Sequence, residues 1–130
     1  MIAYNAAKLR RLRETARQLN AAAIDCRLRR EHSMEALHAA RSAMASYTNY
    51  QGPPVEGVER DPRTGEAVRV RRSKPAVPNH VAQALRDREA DYQALDREYS
   101  DLSTRWKEAA GLVENLERYL KDQGVDLGSR

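Results

Sequence analysis

Glu35-x-x-His38, with Glu31 and His32 just before it, has the local spacing with which a helix presents a carboxylate and an imidazole to a bridged metal pair. That chemistry needs a matching second motif and further inward carboxylates. No second Glu-x-x-His occurs in the sequence, and Glu35 falls on the helix face turned away from the apolar stripe described below. The group therefore reads as a solvated face. His80, beside a helix start, has no ligand set around it. Cys26 is the sole cysteine, which excludes an internal disulfide and fits a reducing compartment. Lying on the apolar stripe, it reads as a small buried hydrophobe and not as a nucleophile. No serine stands in a Gly-x-Ser-x-Gly setting, and the six glycines build no phosphate-cradling loop. Gly111 is unusual in sitting inside a helical stretch, where it permits close approach of another backbone or is merely tolerated. No catalytic residue, metal or cofactor is expected.

Neutralisation of phosphates by lysine and arginine is the remaining candidate chemistry. Lys8, Arg10, Arg11, Arg13 and Arg17 crowd the start of the chain, and Arg69, Arg71, Arg72 and Lys74 form a second cluster. No base-stacking aromatics are interleaved with the second cluster, and the recognised DNA-reading motifs are missing. The net charge is +4 overall, divided as +5 over residues 1–50, +2 over 51–79 and −3 over 80–130. Basic first half and acidic second half are complementary, so contacts within the chain compete with nucleic acid for the first cluster.

These groups must be carried by helices. Phenylalanine is absent, aromatics are 5% and charged residues 32%, and much of the hydrophobic fraction is alanine, which favours helix more than it fills a globular core. At 130 residues the chain is one domain's worth. No segment approaches the roughly 18 consecutive apolar residues of a membrane span, and the N-terminus lacks a signal-peptide core. A cytoplasmic location, or assembly from the cytoplasm, is expected.

A seven-residue pattern runs from Ile2 to Tyr47 through Asn5, Leu9, Leu12, Ala16, Leu19, Ala23, Cys26, Arg30, Ser33, Leu37, Ala40 and Met44. Spacings alternating three and four place these on one stripe of a helix, expected over 2–51 and closed by Gly52, Pro53 and Pro54. A second helix, expected over 79–123 with Asn79 as its cap, repeats the pattern through Val81, Leu85, Arg88, Tyr92, Leu95, Tyr99, Leu102, Trp106, Ala109, Val113, Leu116 and Leu120. Gly124 stops it, leaving a short tail 124–130 in which Val125 is placed to fold back. Between the helices, over 52–78, Asp61-Pro62-Arg63-Thr64-Gly65 is a turn signal flanked by alternating segments, Val58-Glu59-Arg60 and Ala67 to Arg71. These predict a short β-hairpin, or β-arm.

The expected fold is therefore mainly α, a long antiparallel two-helix coiled-coil hairpin with a β-arm in the connecting segment. A register in which facing residue numbers sum to 128 or 129 sets large seam residues against small ones, Trp106 against Ala23 and Val113 against Ala16. It places Arg30 opposite Tyr99, Arg13 beside Glu117, Arg29 beside Glu98 and Arg41 beside Glu89. Two helices bury only one stripe each, so Leu112 and Tyr119 beside the second stripe, and Ile24 and Leu28 on the back of the first helix, are candidate partner-binding residues. The basic group Arg69, Arg71, Arg72 and Lys74 joins them.

Helix, β-arm, helix with both termini at one end is an arrangement similar to that of the prefoldin-type chaperones, whose hairpins assemble them into rings and whose coiled-coil tips hold clients. The similarity is one of topology and no family motif accompanies it, so no family is identified. The function expected is that of a non-enzymatic structural or protein-interaction protein, homo-oligomeric or bound to another protein. Arg- and Ala-rich usage suits a GC-rich bacterial or phage gene, and the expected role is in a bacterial or phage assembly, as a virion component, an assembly factor or an inhibitor of a host protein, acting through the coiled-coil rod and the basic β-arm. The alternatives are a nucleic-acid-binding accessory protein using the basic arm and first helix, and a prefoldin-like chaperone. No membrane partner is expected.

Overall fold

The computed structural model describes residues 2–124, and side chains from residue 5 onward. Its elements are α1 (Ile2–Thr48), β1 (Val55–Arg60), β2 (Ala67–Arg72) and α2 (Asn79–Asp122). The two long helices pack against each other as a hairpin, with a two-stranded antiparallel β-hairpin between them. No described helix is long and apolar enough to cross a membrane. The expected fold-back of Val125 and the side chain of Ile2 lie outside the described residues.

Every described stripe residue of α1, from Asn5 through Leu9 and Cys26 to Tyr47, is buried or half-buried. So is every stripe residue of α2 except Arg88, whose guanidinium runs out to Asp91 at 3.6 Å. The seven-residue period is thus the physical seam, because only spacings of three and four keep side chains on one side of a helix.

The helix ends differ in detail from the expectation. α1 stops at Thr48 and not at Gln51; its last helical hydrogen bond beyond that point runs from the Asn49 amide to the Ala45 carbonyl at 2.8 Å. No left-handed glycine ends it, since positive φ occurs among the described residues only at Gly65 and Gly124. Gly52 serves another purpose: a Cβ there would run into the Tyr50 ring, whose hydroxyl donates to the Pro53 carbonyl at 2.9 Å. At the start of α2 the cap is the Pro78 carbonyl, which accepts from the amides of Val81 and Ala82 at 3.1 and 3.2 Å. Asn79 is already helical. Gly124, with φ of 78°, ends α2 as expected: its amide donates to the Lys121 carbonyl at 3.0 Å.

The chain divides into two compact units, one taking α1 to Glu31 with α2 from Ala94, the other running from His32 to Gln93. In the first, Leu9, Ala23, Cys26, Ala109 and Leu120 form the closed core. Its flanks carry the expected cross-helix pairs, Arg13 to Glu117 at 2.9 Å and Arg29 to Glu98 at 3.4 Å. Arg30, a charge on the seam, stacks over the Tyr99 ring at 4.4 Å and donates to Asp96 at 2.8 Å. The stack uses the electron-rich ring face, and Asp96 holds the head toward water, so the charge is never stranded.

In the second unit Leu37 is buried with 1% exposure. Ser33 interrupts the seam there, and its Oγ is buried with no hydrogen-bond partner. Arg41 and Glu89 do not pair; they are absent from the ion pairs among the described residues. The β-arm belongs to this unit. Its strands pair from Val55 with Arg72 to Arg60 with Ala67. The loop is held by the Asp61 amide on the Glu66 carbonyl and the Gly65 amide on the Asp61 carbonyl, both 2.8 Å. The Asp61 carboxylate accepts from the Arg63 amide at 2.8 Å, and Gly65 takes the left-handed position with φ of 73°.

Candidate interaction surfaces

Two sets of residues stand outside the packed seam. The first is apolar and lies wholly in the first unit. Ile24, Leu28, Leu112 and Tyr119 are 44, 47, 55 and 51% exposed, whereas the seam residues beside them are buried, as Ala23, Cys26, Ala109 and Leu120, or half-buried, as Val113 and Leu116. Heptad position explains the difference. Leu112 and Tyr119 each precede a seam residue, Val113 and Leu120, so they share one flank of α2 a full heptad apart. Ile24 and Leu28 are one turn apart on α1, rotated away from the seam. Gly111 precedes Leu112, and a Cβ at that position would meet no atom within 4 Å. No backbone of the described chain approaches this glycine.

The second set is the β-arm, which the strand register divides into two unlike faces. Side chains alternate along a strand and paired residues share a face, so Val55, Gly57, Glu59, Val68, Val70 and Arg72 stand on one side. Arg72 is tied down there. It donates to Glu59 at 3.1 Å, its Nε is buried, and its stem lies so close over Gly57 that a Cβ on that glycine would come within 2.8 Å of Nε. Glycine at 57 is thus the space in which Arg72 lies.

Glu56, Val58, Arg60, Ala67, Arg69 and Arg71 occupy the other face, and all of them are exposed. The sequence cluster Arg69, Arg71, Arg72 and Lys74 is therefore split. Arg69 and Arg71 stand together, Arg72 is on the opposite face, and Lys74 is exposed just beyond β2. The residue missed from sequence is Arg60, which the register brings to the face of Arg69 and Arg71. Its signal was available in the hairpin pairing: with strands closing on a loop at Pro62 to Gly65, Arg60 lies opposite Ala67, and the odd-numbered arginines of β2 follow.

The other candidate chemistry lies as follows. His32 Nδ1 is 3.9 Å from Glu35, and both side chains are 81% exposed. No group of three or more metal-ligating side chains stands together among the described residues. Cys26 is fully buried, with its thiol directed at the Leu95 carbonyl at 3.5 Å. Burial, and next the negative charge of Glu98, push the thiol pKa upward, which disfavours the reactive thiolate. Glu98 acts on Arg29 too, raising its pKa and so fixing it as a cation. Beside Arg30 an open groove of about 300 Å³ is lined by Tyr99, Ser100, Ser103 and Lys107, but its arginine is already engaged by Asp96 and Tyr99.

Comparisons with protein-family models, with curated proteins and with solved structures find no match for the chain.

Proposed function

We propose that the protein is a non-enzymatic assembly and interaction protein that associates through the flank of α2 carrying Leu112 and Tyr119. The observation that carries this reading is that two large apolar side chains on one flank stay about half exposed, although Ala109 and Leu120 in the adjoining seam are buried and Val113 and Leu116 half-buried. Scattered exposed apolar residues are ordinary on a protein surface. Two that repeat at a heptad on the same flank are arranged as the edge of a further helix seam.

The partner proposed for that flank is a second copy of the chain. In a two-fold arrangement the same surface serves both subunits. Antiparallel pairing of α2 about its stretch between Leu112 and Tyr119 brings Leu112 of each copy against the partner's Tyr119. Four helices then share a core wider than one seam, a recurrent solution for helices with a broad apolar stripe. Ile24 and Leu28, on the far side of α1, are left for a further protein.

The setting proposed is the cytoplasm, or a particle assembled from it, in which a bacterial or phage protein of this kind acts as a virion component, an assembly factor or an inhibitor of a host protein. Solution mass by light scattering across a concentration series tests the reading. A discrete oligomer for the native sequence and a monomer for Leu112→Asp and Tyr119→Asp, with unchanged helix content by circular dichroism, are expected. A native chain that stays monomeric at high concentration, or variants that keep the native mass, would remove the proposed surface.

A further inference from the structure

The exposed face of the β-arm carries Arg60, Arg69 and Arg71 with a single acid, Glu56, and two small apolar residues, Val58 and Ala67. None of the three guanidiniums has an ion pair among the described residues, whereas on the opposite face Arg72 is consumed by Glu59. Of the two acids that flank Arg60 in sequence, Asp61 accepts from the Arg63 amide at 2.8 Å and Glu59 from Arg72 at 3.1 Å. The register thus leaves a tied pair on one side and, on the other, three arginines with one acid, Glu56, standing opposite Arg71 without an ion pair to it.

We propose that this face binds the phosphate backbone of duplex DNA without reading its sequence. Arg69 and Arg71 are two residues apart on one strand, a separation of about 7 Å from the strand rise, which suits successive phosphates along one nucleic-acid strand. Arg60 lies on the neighbouring strand opposite Ala67, about 5 Å across from β2 and about 7 Å further along than Arg69, and adds a third contact across the ribbon. Arginine's planar fork matches phosphate oxygens two at a time. A two-stranded ribbon fits the width of the major groove, with arginines reaching the walls. Val58 is 64% exposed, and between the arginines it offers no acceptor to compete for them. The arm's strands and loop carry no aromatic residue on which unpaired bases would stack, which favours duplex over single strand. An acidic protein surface is the competing partner for the same charges. The regular arginine pitch and the lack of a deep apolar anchor on this face argue for phosphates.

The test is fluorescence anisotropy of a labelled duplex of mixed sequence with the full chain, over a series of salt concentrations, with labelled polyglutamate as the parallel ligand. Three phosphate contacts give a slope of log affinity against log salt of about −2.7, a loss of roughly 40-fold between 50 and 200 mM salt. The single variants R60Q, R69Q and R71Q each reduce the slope by about one, and the triple variant loses binding. Replacing the three arginines by lysine keeps the slope, which separates charge from any damage to the arm. R72Q leaves the slope unchanged. No duplex binding at low salt, a slope unaffected in R60Q/R69Q/R71Q, or equal affinity for polyglutamate would overturn the proposal; the last outcome would assign the face to an acidic protein.

Discussion

Replacing Gly111 by alanine separates what the single chain needs from what an assembly needs. The residue is interior to α2, and a Cβ at its position meets nothing within 4 Å, so the substitution adds no clash inside the chain. What remains is backbone entropy, for which glycine in a helix is worse than alanine by about 1 kcal/mol. With an unfolding entropy of about 2 cal/mol/K per residue, that amounts to a rise in Tm of roughly 4 °C for a chain of this length. Urea unfolding followed by circular dichroism is the assay, run at two protein concentrations because association adds stability with concentration. The midpoint should move upward at both concentrations with the m-value unchanged. A destabilised variant would refute the reasoning, since it would mean that another backbone packs against this glycine.

Other substitutions test separate parts of the account. Ser33→Ala removes a buried hydroxyl with no partner, so it should leave stability unchanged or raise it by up to about 1 kcal/mol; a loss, read by the same urea melts, would reveal a hydrogen bond at Ser33. Gly65→Ala places a side chain at φ of 73° and should cost about 1 to 2 kcal/mol locally, read as faster amide exchange across β1 and β2 with exchange in the helices unchanged. Cys26 should resist thiol reagents in the native protein, because it is fully buried. Its folded pKa is raised, so its contribution to stability is fully present below the unfolded thiol pKa and is lost as pH rises through the folded value. Relative to Cys26→Ala, the native chain should therefore lose stability selectively above about pH 9, near the thiol's ordinary range; parallel pH profiles for the two would contradict the burial of the thiol.

The seam and its register were legible in the sequence because both are matters of side-chain spacing and size. Arg13 with Glu117, Arg29 with Glu98 and Arg30 over Tyr99 all follow from a single alignment of large against small residues. The hairpin was legible from Asp61 to Gly65 for a similar reason, since proline and glycine at those offsets permit few turns. The arm's two faces were not, because proximity in sequence hides the alternation of a strand. Arg71 and Arg72 are neighbours in the chain and point to opposite sides, whereas Arg60 and Arg71 are distant and point to the same one. Helix termini were read less well. Asn79 looked like a cap by type, but the proline before it supplies the accepting carbonyl, a backbone role that side-chain preferences do not register. The candidate surfaces became visible only as residues left over from the seam. A residue's absence from a packing pattern says that it is available, and the chemistry of its partner must come from its neighbours.

Whether the Leu112 and Tyr119 flank is an interface between two copies is decided by site-specific photo-crosslinking of the purified chain. A photoreactive residue is placed in turn at positions 112, 119 and 97, the last being an exposed arginine off that flank. A covalent dimer is expected from 112 and from 119, with fragment mapping joining 112 to the region of 119 in the other copy, and none from 97. Absence of a dimer from 112 and 119, or equal yield from all three positions, would contradict it.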